Sequence, residues 1–279
     1  MPLPVTDTRR AFRPLSGEIV GLLRSLHVED WNRPTVAGSW RVRDVVAHLV
    51  DTALRRLSFH RDRSMPPADP SSSSGDRSLV DLVNDLNRSW VHAAHRLSPR
   101  ALTDLYAHAS AQLADFVESL SLDGDALFPV SWAGEAQSAL WFDIGREFTE
   151  VWHHGAQIRE AVGAGPFSDP RWLRAVLEIA IRALPHAYRD LPAHPGVSVA
   201  IVITGRAPGA WTLTYGNGAW ELEEGRLARS AGATATMTDE TAWRLFFNAV
   251  PLNDAQSLVH VDGDAALALP LLRARSVII

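Results

Sequence analysis

The chain contains no cysteine. That excludes structural disulfides and thiolate metal ligands, and it leaves no side chain able to act as a thiol nucleophile. Any sulfur chemistry here needs a thiol supplied from outside. No apolar run approaches the roughly 18 residues that cross a bilayer. Nor is there an excess of base: Lys and Arg number 27 against 32 Asp and Glu, a formal charge of -5. Nucleic acid and anionic membrane surfaces both select basic patches, so neither is an expected partner. Met1 to Arg13 mixes Pro, Thr, Asp and Arg without an apolar core, which argues against a secretory signal and makes the cytoplasm the expected location. No G-x-G-x-x-G spacing follows a strand-like run, so no dinucleotide site is expected.

What is present is the composition of an ordinary globular protein, 46% hydrophobic and 21% charged over 279 residues, long enough for two cores. The first half has helical periodicity. Over residues 7–26, Phe12, Leu15, Ile19, Leu22 and Leu26 fall at three- and four-residue steps, and over 41–60 so do Val42, Val45, Val46, Leu49 and Ala53. Pro34 and Gly38 separate these helices, and Ser39 is placed to cap the second. Residues 65–76 (MPPADPSSSSGD) read as an exposed loop. Helices are predicted over 78–97 and over 99–121, with Pro99 in the first turn. After an irregular stretch at 123–134, a long helix is predicted over about 136–163, ending at Gly163. One further helix is predicted over 171–190.

From Gly196 the pattern changes to strands: VSVAIVITG, AWTLTYG, GAWELEEG and ATATMT, rich in β-branched and aromatic residues with Gly at the turns. Short helices are predicted at about 239–248 and 264–272, and a last strand at Ser276 to Ile279. The fold class is therefore α+β: an antiparallel helical bundle over about 1–165, then a small α+β domain over about 170–279.

The segment most informative about chemistry is REFTEVWHHGAQIREAVG, residues 146–163. Ile144, Phe148, Val151, Gly155 and Ile158 form its apolar stripe. Glu147, Glu150, His154 and Gln157 run beside the stripe, and Glu150 and His154, four apart, point the same way. His153 falls with Arg146, Thr149 and Glu160, which helical phase assigns to an outer face. On the second helix His48 sits at the edge of the stripe made by Val45 and Leu49. One His on one helix and a Glu-x-x-x-His pair on another can converge in a bundle as a catalytic metal site, with three ligands and an open fourth position. Spacing by itself is a weak signal, since 11 His and 32 acidic residues give about one such pair by chance. Trp40 and Trp152 lie near this site in sequence and are candidates to wall a pocket, while the other Trp residues read as core.

GSWRVRDVVAHLVD (38–51) resembles the W-x-V-R-D-V-x-x-H-L element of the mycothiol-dependent maleylpyruvate isomerase family, within the DinB-like metal-binding bundles. EVWHHGAQIREAVG (150–163) is similar to that family's E-x-x-x-H-G-x-D-I-x-x-A-x-G element. The strands, ATATMTDETAWRLF and VHVDGDAALALPLLRARSVII resemble the sterol-carrier-like domain appended to many members. The resemblance implies metal ligands at His48, Glu150 and His154, the set that helical geometry selects. It also implies a DinB-like bundle, a divalent metal (zinc) and a small thiol cofactor such as mycothiol. Gln157 departs from it, standing where the family usually has Asp.

The expected activity is thiol-assisted isomerisation or conjugation of a small electrophile. Two alternatives use the same ligands: a hydrolase that activates water at the open position, and a non-enzymatic metal-binding or small-molecule carrier protein.

Overall fold

The computed structural model describes residues 3–65, 79–225 and 231–277; the loop expected at 65–76 lies, apart from Met65, outside them. The chain forms two compact units and passes between them more than once. One comprises Thr8–Ser121 and Glu150–Phe167; the other comprises Met1–Asp7, Leu122–Thr149 and Ser168–Ile278.

The first unit is helical. It contains α1 (Phe12–Ser25), α2 (Val42–Arg56), α3 (Leu79–Ala94), α4 (Pro99–Ser119) and the C-terminal half of α5 (Leu140–Ala161). α4 packs against both α1 and α2, and α3 lies along α2. The expected stripes form the core: Leu15, Ile19, Val45, Leu49, Leu113 and Val117 are all buried. α4 starts as its sequence suggests, with Pro99 in the first turn and Ser98 Oγ accepting the Ala101 N–H at 3.2 Å. α2 does not start as expected. Asp44, not Ser39, caps it, accepting the Arg41 N–H at 2.9 Å from inside the first turn. Its other oxygen meets His95 Nε2 at 2.7 Å. Trp90 Nε1 donates to the Ala47 carbonyl at 2.8 Å and ties α3 to the turn of α2 that carries His48.

α5 comes close to α1 at Gly155, where a Cβ would lie 2.7 Å from Phe167 Cζ and 2.8 Å from Ile19 Cδ1. We expect Gly155→Ala to lower stability by about 1–3 kcal/mol through overpacking. A urea midpoint that falls at constant m-value tests this, and an unchanged midpoint would show that the side chains yield without cost.

The second unit holds α6 (Pro170–Ala180), α7 (Leu184–Ala187), α8 (Asp239–Phe246), α9 (Leu252–Leu258), α10 (Ala265–Arg273) and a five-stranded sheet. The strands are β1 (Ser198–Thr204), β2 (Gly209–Gly216), β3 (Ala219–Glu224), β4 (Ala233–Thr238) and β5 (His260–Gly263), in the order β3-β2-β1-β4-β5. Among the described residues only β1 and β4 pair in parallel. Central β1 is buried along most of its length, whereas β4 buries Ala233, Ala235 and Met237 on alternate positions.

Two expectations are corrected in this unit, and two further elements join those expected. The single helix over 171–190 is broken into α6, a 3-10 turn (Ile181–Ala183) and α7, because Pro185 has no N–H to donate and its ring crowds the preceding turn. β5 and α9 form from segments too short to show a period. Ser276 and Val277 form no strand. Instead Ser276 N donates to Phe246 O and its Oγ to Ala180 O, both at 2.8 Å.

Candidate metal centre

α2 and the C-terminal half of α5 bring His48, Glu150 and His154 together within the helical unit. One ligand atom from each lies within 4.8 Å of the others. His154 Nε2 is 3.5 Å and His48 Nε2 is 3.9 Å from Glu150 Oε2. The two imidazoles meet edge to face, ring centres 4.7 Å apart. In a tetrahedral site with bonds of 2.0–2.1 Å, neighbouring ligand atoms sit roughly 3.3 Å apart. The two contacts to Glu150 lie within about 0.6 Å of that spacing. Both histidines are buried, and Glu150 keeps 21% of its side chain exposed.

The electrostatics suit that donor set. Burial lowers the His48 pKa to about 4, outweighing the opposing effect of the Glu150 carboxylate, so the ring is neutral at physiological pH. Burial alone would raise the Glu150 carboxyl, but the adjacent histidines, His154 and then His48, overcome it and hold the group well below the usual carboxylate range. Two imidazole ligands and one carboxylate would leave a divalent cation with a net charge of about +1. His154 Nδ1 is bonded to Gln157 Oε1 at 2.8 Å, which leaves Nε2 to face the centre.

These shifts predict acid sensitivity of the metal-stripped protein. Between pH 6.5 and about 4 the unfolded chain protonates His48 and the folded chain does not, so stability falls as pH falls. The depressed Glu150 carboxyl acts in the same direction, at lower pH. For His48 the loss is about 3 kcal/mol over that window. Urea midpoints of metal-stripped protein at pH 7 and pH 4.5 measure it; equal midpoints would contradict the assignment.

Trp40 stands beside the group, its ring centre 5.0 Å from that of His48 and 6.2 Å from that of His154. Trp152 instead packs on Phe167, with centres 5.8 Å apart. His153 corrects an expectation. It is 4% exposed and Thr149 1% exposed, so their side of α5 is not an outer face. α5 is buried around nearly its whole circumference, and on such a helix polarity does not mark the solvent side. His153 still lies outside the convergent group.

Sequence reasoning passed over Asp51 and Arg55, one and two turns beyond His48 on α2. Arg55 Nη2 pairs with Asp51 Oδ2 at 3.1 Å and donates to Asn87 Oδ1 at 2.7 Å, and its charge adds to the lowering of the His48 pKa. Their steps of three and seven from His48 were the available signal. Among the described residues no helix is long and apolar enough to cross a membrane.

Comparison with known proteins gives a consistent result. Residues 12–159 match the model of the mycothiol maleylpyruvate isomerase N-terminal domain. Among solved structures, the chain is similar to a mutant of the mycothiol-dependent maleylpyruvate isomerase in which one histidine is replaced by alanine. The TM-score is 0.56 at 12% identity, covering 94% of this chain and 95% of that one. A second structure of a mycothiol-dependent maleylpyruvate isomerase gives 0.53 at 13% identity, over 87% and 88%. At such identities the likeness establishes the mixed helix-and-sheet fold. No curated protein matches the chain by sequence.

Proposed function

The chain belongs to the mycothiol maleylpyruvate isomerase family, and from that premise we propose that it is an enzyme using a small thiol of the mycothiol type on an electrophilic substrate. His48, Glu150 and His154 hold a divalent cation, and two imidazoles with one carboxylate suit zinc. The observation that carries this reading is the convergence of these three ligand atoms, two of them on buried histidines. When bound, the cation supplies the positive charge that keeps a thiol ionised at neutral pH.

The chain's residues then have separate tasks. Glu150, already ionised, neutralises charge and is no general base. His48 and His154 complete the ligand set and leave a position open to an outside donor. Trp40, half-buried beside both rings, limits what reaches that position. The thiolate adds to a cis double bond conjugated with a carbonyl. A carbon–sulfur bond forms and the π electrons move onto the carbonyl oxygen. Rotation about the new single bond and return of those electrons expel the thiolate and leave the trans isomer. If a proton is taken up instead, the adduct is the product and the reaction is a conjugation.

The partners in this reading are the thiol and a small substrate in the cytosol. The formal charge of -5 favours them over nucleic acid. The functional division is a metal-binding bundle over about 1–165 and a sterol-carrier-like α+β domain over about 170–279, even though Leu122–Thr149 packs with the sheet-bearing unit. Turnover of an electrophilic cis-alkene carbonyl compound, with and without thiol, tests the proposal.

A further inference from the structure

The two imidazoles are held unequally. His154 Nδ1 and Gln157 Oε1 are 2.8 Å apart and both side chains are buried. His48 Nδ1 is equally buried and, among the described residues, has no hydrogen-bond partner. An amide oxygen can only accept, so the shared proton belongs to His154 Nδ1, and Nε2 is the nitrogen left to face Glu150 and His48. Gln157 is three residues along α5 from His154, on the same face, so the backbone presets the distance between them. The pair sits within one helical turn, beside the close approach of Gly155 to Ile19 and Phe167, which restricts how far this part of α5 can shift.

We infer that Gln157 is the positioning residue of this centre, fixing the tautomer and ring orientation of His154 while His48 is left free to rotate onto the cation. The inference rests on the metal reading above and goes beyond it. It assigns the site a fixed arm, His154 and Glu150 on one helix, and an adjustable arm, His48 on another. It also sets the character of the fixed arm. A neutral amide orients the imidazole without the added negative charge that a carboxylate would bring, so the ligand is less electron-rich and the cation keeps more of its charge.

The experiment uses the full chain with Gln157→Leu and Gln157→Glu. Leu keeps the volume and removes the acceptor; Glu keeps length and acceptor and adds charge. Two readouts are taken: zinc affinity by competition with a chelator, and the imidazole nitrogen NMR signals of His154 in metal-free protein. In the unaltered protein His154 carries its proton on Nδ1. We expect Gln157→Leu to weaken zinc about 10- to 100-fold and to mix the tautomers. Gln157→Glu should restore the Nδ1–H signal and bind zinc at least as tightly as the original. A purely structural role would lower the thermal midpoint of Gln157→Leu without moving the tautomer. Zinc affinity indifferent to residue 157, or an unprotonated His154 Nδ1 in the original chain, overturns the positioning role alone. An original chain that takes up no zinc overturns the metal assignment beneath it.

Discussion

Replacing His154 with alanine weakens metal binding by about 100-fold or more, and replacing its neighbour His153 does not. This is the sharpest expected result, because the two residues are adjacent in sequence, both buried, and only 4.0 Å apart between ring centres. Helical phase separates them by about a hundred degrees. His154 Nε2 faces Glu150 at 3.5 Å, and His153 lies outside the group whose ligand atoms converge. Zinc bound by four protein ligands is worth about 10–16 kcal/mol, roughly 3 per ligand. Loss of one ligand therefore weakens the site by about 100-fold or more. His153→Ala empties a buried position and should cost stability, on the order of 1–3 kcal/mol. His153→Gln, which fills more of that space, separates instability from ligand loss. Metal content after gel filtration checks both. Full metal in His154→Ala and none in His153→Gln would mean that the ligand phase of α5 is wrong by one residue.

The second large effect concerns the thiol. Turnover of an electrophilic cis-alkene should be negligible in thiol-free buffer and rise with added mycothiol until it saturates. The chain has no cysteine to replace it. At a pH near 7 a free thiol with a pKa of about 8.5 is only a few per cent ionised. A site of net charge about +1 favours the thiolate, so thiol binding releases a proton and strengthens as pH rises toward the free thiol's own pKa. Hydrolysis through activated water makes the opposite prediction, since thiol entering the open position would inhibit. Initial rates across a thiol titration separate the two. Equal turnover without thiol, slowed by adding it, would remove the thiol mechanism.

Much of the site was legible before the fold was known, because it depends on local geometry. Glu150, His154 and Gln157 sit on one helix at steps of four and three, and a helix places such side chains on one side whatever surrounds it. Pro99 marked the start of α4 for the same local reason. His48 was not fixed by spacing. Its place at the edge of the Val45 and Leu49 stripe made it a candidate, and the resemblance of GSWRVRDVVAHLVD to a family element strengthened it.

What escaped sequence reasoning depends on tertiary surroundings. His153 and Thr149 share a polar line that reads as solvent-facing, yet both are buried, because α5 is enclosed on nearly every side. Leu122–Thr149, which includes the first half of α5, belongs with the sheet-bearing unit, and no break in composition at Glu150 announces the change of unit. The parallel pairing of β1 with β4 crosses an intervening hairpin, a non-local contact that alternation within each strand does not encode.

The central claim is that His48, Glu150 and His154 hold a divalent cation to which a small thiol binds. The measurement that tests it most directly is the absorption spectrum of cobalt-loaded protein titrated with mycothiol. The account predicts a sulfur-to-cobalt charge-transfer band in the near ultraviolet that saturates at one thiol per cation and is absent in His154→Ala. Stoichiometric cobalt with no thiol-induced band, or a band that persists when His154 is gone, would contradict it.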